Sequence, residues 1–224
     1  MLPFTREQFF TVFLEYNDAV WPASILAYGL GLIALITMLW PKPFWSRVTA
    51  FILAMMWAWT GVAYHGIFFS PINGAAYLFG AIFVTQAFLF IYFGALYDGL
   101  QFGETQGLRA IMGWTFIGYA VIAYPMIGIA VGHSYNELPQ FGITPCPVTL
   151  FTFGILLFAK PPLPWVLLVI PVIWSLIGGT AAIFLAVPQD WLLLASGVIT
   201  TVLQVFSKSN PGQSAANPAD LSEK

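Results

Sequence analysis

The stretch SRVTAFILAMMWAWTGVAYHGIFFSPINGAAYLFGAIFVTQAFLFIYFGALY, residues 46–97, decides the fold class. It contains two apolar runs, 46–69 and 74–97, parted by a short connection that carries Pro71 and Asn73. Each run has roughly the 17 to 25 residues that a helix needs to cross a bilayer. Outward from this pair, further runs at 21–40, 108–132, 141–159, 165–187 and 190–206 have the same character, broken by short polar or proline-bearing connections. The reading is an all-α, polytopic membrane bundle of seven transmembrane helices over residues 21–206. Trp21 and Trp40 bracket the first span, and their separation of about 28 Å along a helix matches the hydrocarbon thickness.

Composition agrees. The 224 residues are 59% hydrophobic and 7% charged, with mean hydropathy +0.85, too little polar surface to coat a soluble sphere. Seven Lys and Arg against nine Asp and Glu give a net charge of -2, so there is no basic surface to track a phosphate backbone and nucleic acid is excluded as a partner. The bilayer is the expected partner, with a small ligand or metal ion, and an oligomer stays open. One cysteine excludes an internal disulfide framework and any CxxC site. No internal repeat is visible, so an inverted-repeat transporter has no support.

The ends differ from the middle. Residues 1–20 read as an amphipathic interfacial helix: Thr5 and Gln8 have capping-box spacing, Phe4 and Phe9 that of a hydrophobic staple, and Phe9, Phe13, Tyr16 and Val20 form an apolar stripe. Residues 207–224 turn to Ser, Asn, Pro, Ala and Gln and read as a disordered cytoplasmic tail. With the N-terminus outside and the C-terminus inside, Lys42, Arg47, Arg109, Lys160, Lys208 and Lys224 are cytoplasmic and only Arg6 is outside, as the positive-inside rule requires.

Polar residues then sort by depth. No Asp, Glu, Lys, Arg or His falls near the middle of a span, which lowers the case for a proton-coupled pump. Gln86, Thr200, Thr201 and Gln204 are the interior polar residues, and hydrogen bonding between helices explains them by default. Both histidines, His65 and His133, fall at outer ends of spans, as does Cys146, with Glu15 and Asp18 just before span one. Ala54, Ala58 and Gly61 precede His65 at helical spacing, a small-residue stripe that packs against a neighbour and turns His65 inward. In GITPCPVTLFTFG, Pro145 and Pro147 flank Cys146 and neither can donate a backbone hydrogen bond, so the expectation is that no regular helix runs through the cysteine. The missing length of span five must then come from non-helical chain over 141–146 at the membrane edge. Thr149 stands near the resulting helix start, Asn73 caps span three, and Tyr64 adjoins His65; these three are the further ligand-pocket candidates.

The stretches FTREQFFTVFLEYNDAVWP, WTGVAYHGIFFSPINGAAYLFG and GHSYNELPQFGITPCPVTLFTFG resemble a family of uncharacterised bacterial multi-pass membrane proteins, a domain of unknown function sometimes labelled permease. The resemblance covers nearly the whole chain and implies a bacterial inner membrane, with no assigned chemistry.

Three function classes follow. The first is a metal-ion or small-ligand site at the outer face. Its metal donors would be His65, His133 and Cys146 with a carboxylate from Asp18 or Glu15, a nitrogen, sulfur and oxygen set that suits zinc or copper. The second is a small-solute permease or facilitator, favoured by broken span five and by the prolines of spans four and six. The third is a membrane-embedded metal-dependent hydrolase or a haem-binding redox protein. Zinc hydrolases of the ceramidase and receptor-like kind hold the metal on three histidines, whereas this chain has two and no HxxxH in span seven. Bis-histidine haem needs ligands at equal depth, and His65 and His133 are mismatched by about 9 Å when counted from Arg47 and Arg109.

Reporter fusions and cysteine labelling should place residues 1–18 and the 133–146 loop outside, and the 41–47, 98–108 and 160–164 segments inside. A cytoplasmic 133–146 loop would overturn both the orientation and an outer site.

Overall fold

The computed structural model describes residues 2–97, 99–103 and 106–209. Among these residues the chain is all-α, with one isolated antiparallel bridge between Phe102 and Ala159. Eight helices follow in order: α1 Arg6–Ala19, α2 Ala23–Met38, α3 Pro43–Phe69, α4 Ala76–Leu96, α5 Gly107–Ala130, α6 Pro145–Leu156, α7 Val166–Phe184 and α8 Trp191–Ser209. Four of them, α3, α4, α5 and α7, are long and apolar enough to cross a membrane. Helices α1 and α2 meet at 84°.

Local chemistry accounts for the helix ends. Gln8 N–H donates to Thr5 Oγ1 (3.2 Å) and Thr5 N–H to Gln8 Oε1 (2.8 Å), while Phe4 stacks on Phe9 at 6.0 Å, so both the capping box and the staple form. The Asn73 side chain accepts from Ala75 N–H (3.1 Å) just ahead of α4. Gly132 follows α5 at φ +102°, a left-handed turn that favours glycine. The α3–α4 crossing is set by Gly61 and Gly80: a β-carbon on either would come within 2.9 Å of the other's carbonyl oxygen, so the two backbones touch. From Thr60 to Phe69 α3 is wound as a π-helix, and the wider turn lets the consecutive Tyr64 and His65 both face inward.

The centre of the bundle is α6, held among α3, α5, α7 and α8. Every residue from Leu138 to Ala159 is buried. At about 18 Å its helical part is too short to cross a bilayer. Its first turn corrects one expectation: Pro145 is the first helical residue and Cys146 and Pro147 follow within the helix. The first four amides of a helix have no intrahelical acceptor, so prolines there remove nothing the helix uses. Non-helical chain does enter the bundle, but over 141–144, ahead of Cys146.

The buried Ile143 carbonyl lies ahead of the extended N-cap Thr144, outside the helix's own hydrogen bonds, and must find its donor elsewhere. Tyr16 of α1 supplies the missing donor, its hydroxyl reaching Ile143 O at 2.8 Å and itself accepting from Trp59 Nε1 at 2.8 Å. Asn17 Nδ2 donates to Asn136 O (2.7 Å) and Leu138 O (2.9 Å). Helix α1 is therefore bound across one end of the bundle with Phe9, Val12, Phe13, Tyr16 and Asn17 buried beneath it. At the other end Arg109 Nη2 donates to Ala159 O (2.6 Å), Lys160 N–H to Gln101 O (2.7 Å), and Gln204 Nε2 to Leu156 O (2.9 Å). Gln86 Nε2 joins α4 to the Leu167 carbonyl of α7 at 3.1 Å. The last helix runs to Ser209, past the expected boundary at 206, and the rest of the expected tail, 210–224, lies outside the described residues.

Tyr16→Phe should cost about 1–3 kcal/mol, because it leaves the Ile143 carbonyl buried and unpaired. Tyr77→Phe, on an exposed tyrosine, should stay within about 0.5 kcal/mol of wild type. Thermal unfolding of the detergent-solubilised protein distinguishes the two, and equal midpoints would contradict the assigned bond.

Candidate functional site

Beneath the N-terminal half of α1 lies a cavity of about 130 Å³. Phe4, Phe9 and Phe13 roof it, and His65 and Tyr64 of α3, Cys146 of α6 and Trp174 of α7 line it with Asn73. It reaches the surface beside Leu2 and Thr180, which are exposed. Its shape depends on Gly178: a β-carbon there would lie 3.2 Å from Trp174 Nε1 and 3.4 Å from Cys146 Sγ.

His65 is the unusual member. Its ring is wholly buried and edge-on to Tyr64, Phe69, Phe79, Phe83 and Trp174 at centroid distances of 4.8–6.2 Å. Neither ring nitrogen has a hydrogen-bond partner among the described residues, while Trp174 Nε1 has no nitrogen or oxygen acceptor and the Cys146 sulfur within reach. The amides of Asn17 and Gln86 are each bonded at one end and unpartnered at the other; His65 is bonded at neither. A buried polar group without a partner costs on the order of 1–3 kcal/mol.

The sequence candidates divide. His65, Cys146, Tyr64 and Asn73 share this one cavity. His133 is elsewhere, stacked on Phe10 at 4.0 Å on the far side of α1, beside Arg6, Glu7 and Glu137 in a surface hollow. There the Ser134 backbone N–H and hydroxyl hold the Glu137 carboxylate below its usual range. Glu15 and Asp18 are exposed, and Asp18 accepts from Asn136 Nδ2 at 2.8 Å. Thr149 Oγ1 is turned back onto Pro145 O at 2.8 Å. The expected convergence of His133, Glu15 and Asp18 on His65 and Cys146 is thus absent, because α1 interposes its aromatic face between the two histidines. Among the described residues no three His, Cys, Asp or Glu side chains gather closely enough to hold a metal ion.

One residue escaped the sequence reading. Asp190, on the 3-10 turn Pro188–Asp190 ahead of α8, is buried and accepts from the Tyr124 hydroxyl at 2.6 Å. The Cys146 thiol is within hydrogen-bonding reach of the same carboxylate. Tyr119 OH adds a bond to Gln189 O at 2.9 Å, fixing the turn against α5. In sequence, an Asp before an apolar run reads as a helix cap at the surface, and only its partners on α5 and α6 distinguish it. The cavity is thereby backed, behind Cys146, by an acidic group, while no Asp, Glu, Lys or Arg lines it.

Asp190→Leu should be less stable than Asp190→Asn by about 1–3 kcal/mol, since only the amide still accepts from the buried Tyr124 hydroxyl. Chemical denaturation in micelles measures the difference, and indistinguishable variants would show that this bond contributes nothing.

A profile of a family of unknown function, DUF6064, matches residues 6–214, and the chain belongs to that family. No curated protein and no solved structure matches it.

Proposed function

We propose that this DUF6064 protein is a multi-pass protein of the bacterial inner membrane that binds a small molecule in the cavity under α1, at its extracytoplasmic end. The reading takes seven crossings, with the N-terminus outside. Two features support the orientation. Arg109, Lys160 and the 41–47 segment cluster around the Phe102–Ala159 bridge, with Ser46 Oγ accepting from Phe102 N–H at 3.1 Å. The opposite end carries α1 and the 134–144 segment, where Arg6 is the one basic residue. Such a split is what the positive-inside rule expects.

A single observation carries the binding reading: His65, buried with both nitrogens unpartnered, lines a cavity that opens to the surface. Polar groups buried without partners are retained where a ligand completes them. The cavity is apolar apart from a few convergent polar atoms, the usual constitution of a small-molecule site. A metal is not part of this reading, because His65 and Cys146 alone do not supply the four ligands zinc takes.

His65→Leu supplies the test, since it removes the unpaired polar atoms while keeping an apolar filling. It should raise stability by about 1 kcal/mol in the absence of ligand. Wild type should give saturation-transfer signals from small neutral molecules that His65→Leu weakens. A destabilised His65→Leu whose wild-type parent binds nothing would sink the reading.

A further inference from the structure

The geometry points to a neutral ring alcohol of the phenol class as the ligand of the cavity under α1, an assignment that rests on the small-molecule reading above and narrows it. Three constraints lead there. The first is size: a cavity of about 130 Å³ is comparable to the engineered cavity of about 150 Å³ that admits benzene, so one six-membered ring fits.

The second is charge. Of the groups lining the cavity none is Asp, Glu, Lys or Arg. Behind Cys146 stands Asp190, so a carboxylate ligand would be desolvated near a buried acid without any cation to receive it. An ammonium would find the Asp190 carboxylate already engaged by the Tyr124 hydroxyl at 2.6 Å and would have to displace that bond. The ligand is uncharged.

The third is hydrogen bonding. A neutral imidazole offers one N–H and one lone pair, and an indole offers one N–H. His65 holds both of its groups buried and unpartnered at the cavity wall, and beside it the buried Trp174 N–H has no nitrogen or oxygen acceptor and only the Cys146 sulfur within reach. The vacant complement is a donor for the imidazole lone pair and acceptor capacity for the N–H groups, of which a single oxygen that donates to that lone pair meets one. A hydroxyl supplies both, on a single atom. A ketone or quinone oxygen accepts only and would leave the imidazole lone pair unpaired; a hydrocarbon would leave both His65 groups so. The aromatic walls from Phe9, Phe13, Tyr64 and Phe79 then receive the ring edge-to-face.

Calorimetric titration of the full-length protein in detergent, with empty micelles subtracted, tests the assignment with phenol, toluene and benzoate as probes. Phenol should bind saturably and about tenfold or more tightly than toluene, the gain expected from two additional hydrogen bonds. Benzoate should not bind. In His65→Phe the preference for phenol over toluene should vanish, and Gly178→Ala, whose added methyl occupies the space between Trp174 Nε1 and Cys146 Sγ, should weaken both probes. Equal affinity of wild type for phenol and toluene, or tight binding of benzoate, would overturn the ligand class and leave the cavity as a binding site of another kind. If neither phenol nor toluene binds saturably, both the ligand class and the small-molecule reading fall.

Discussion

The structure depends on keeping an irregular, proline-bearing segment inside the bundle. From Leu138 to Ala159 the chain is buried throughout, yet only Pro145–Leu156 is helical within it. A buried backbone carbonyl without a donor is expensive, more so where no water reaches. The bundle meets this with side chains drawn from distant parts of the chain. Tyr16 and Asn17 serve the entry, Arg109 and Gln204 the exit, and Trp57 Nε1 binds the Thr152 hydroxyl at 2.8 Å halfway along. Helix α1 crosses one end because the irregular entry lacks donors that α1 possesses.

That tether also creates the cavity. The polar bonds of α1 come from Tyr16, Asn17 and Asp18, near its C-terminal end, while Phe4, Phe9 and Phe13 rest on the bundle through apolar packing, with ring contacts to Phe69 and Tyr64. Aromatic rings leave gaps between them that a regular helix–helix seam would close. The gap here falls beside Gly178, where no side chain stands between Trp174 and Cys146, and it is bordered by His65, whose ring nitrogens have no partner among the described residues. Against a molecule that supplies even a single stray carbonyl with a donor from another helix, an unserved imidazole stands out.

Much of this was legible beforehand, and the limit is physical. Span-length apolar runs, the Thr5 capping box, the Phe4–Phe9 staple and the inward turn of His65 are properties of near neighbours, within a few residues or one helix face, and periodicity reports them. The break at the start of α6 was legible from Pro145 and Pro147, but its position was displaced: the prolines are compatible with a first turn, so the irregular chain precedes Cys146. His133 and Asp190 mark the boundary more sharply. Both stand at the ends of apolar runs, and nothing in their local sequence says that α1 separates His133 from His65, or that Asp190 turns inward to Tyr124 and Cys146.

What the sequence by itself determined is the all-α class, the apolar lengths of the helices, the sparseness of charge and which residues have polar atoms to place at the ends. These are sums over local hydration and helix propensity, and they do not need a partner. What only the tertiary structure decided is which of those polar atoms meet: Tyr16 with Ile143, Tyr124 with Asp190, and His65 with none. A hydrogen bond between residues more than a hundred positions apart depends on the angle between α1 and α2 and on a glycine-to-glycine crossing of α3 and α4. Side-chain packing sets those geometries collectively, and no single stretch of the chain contains them.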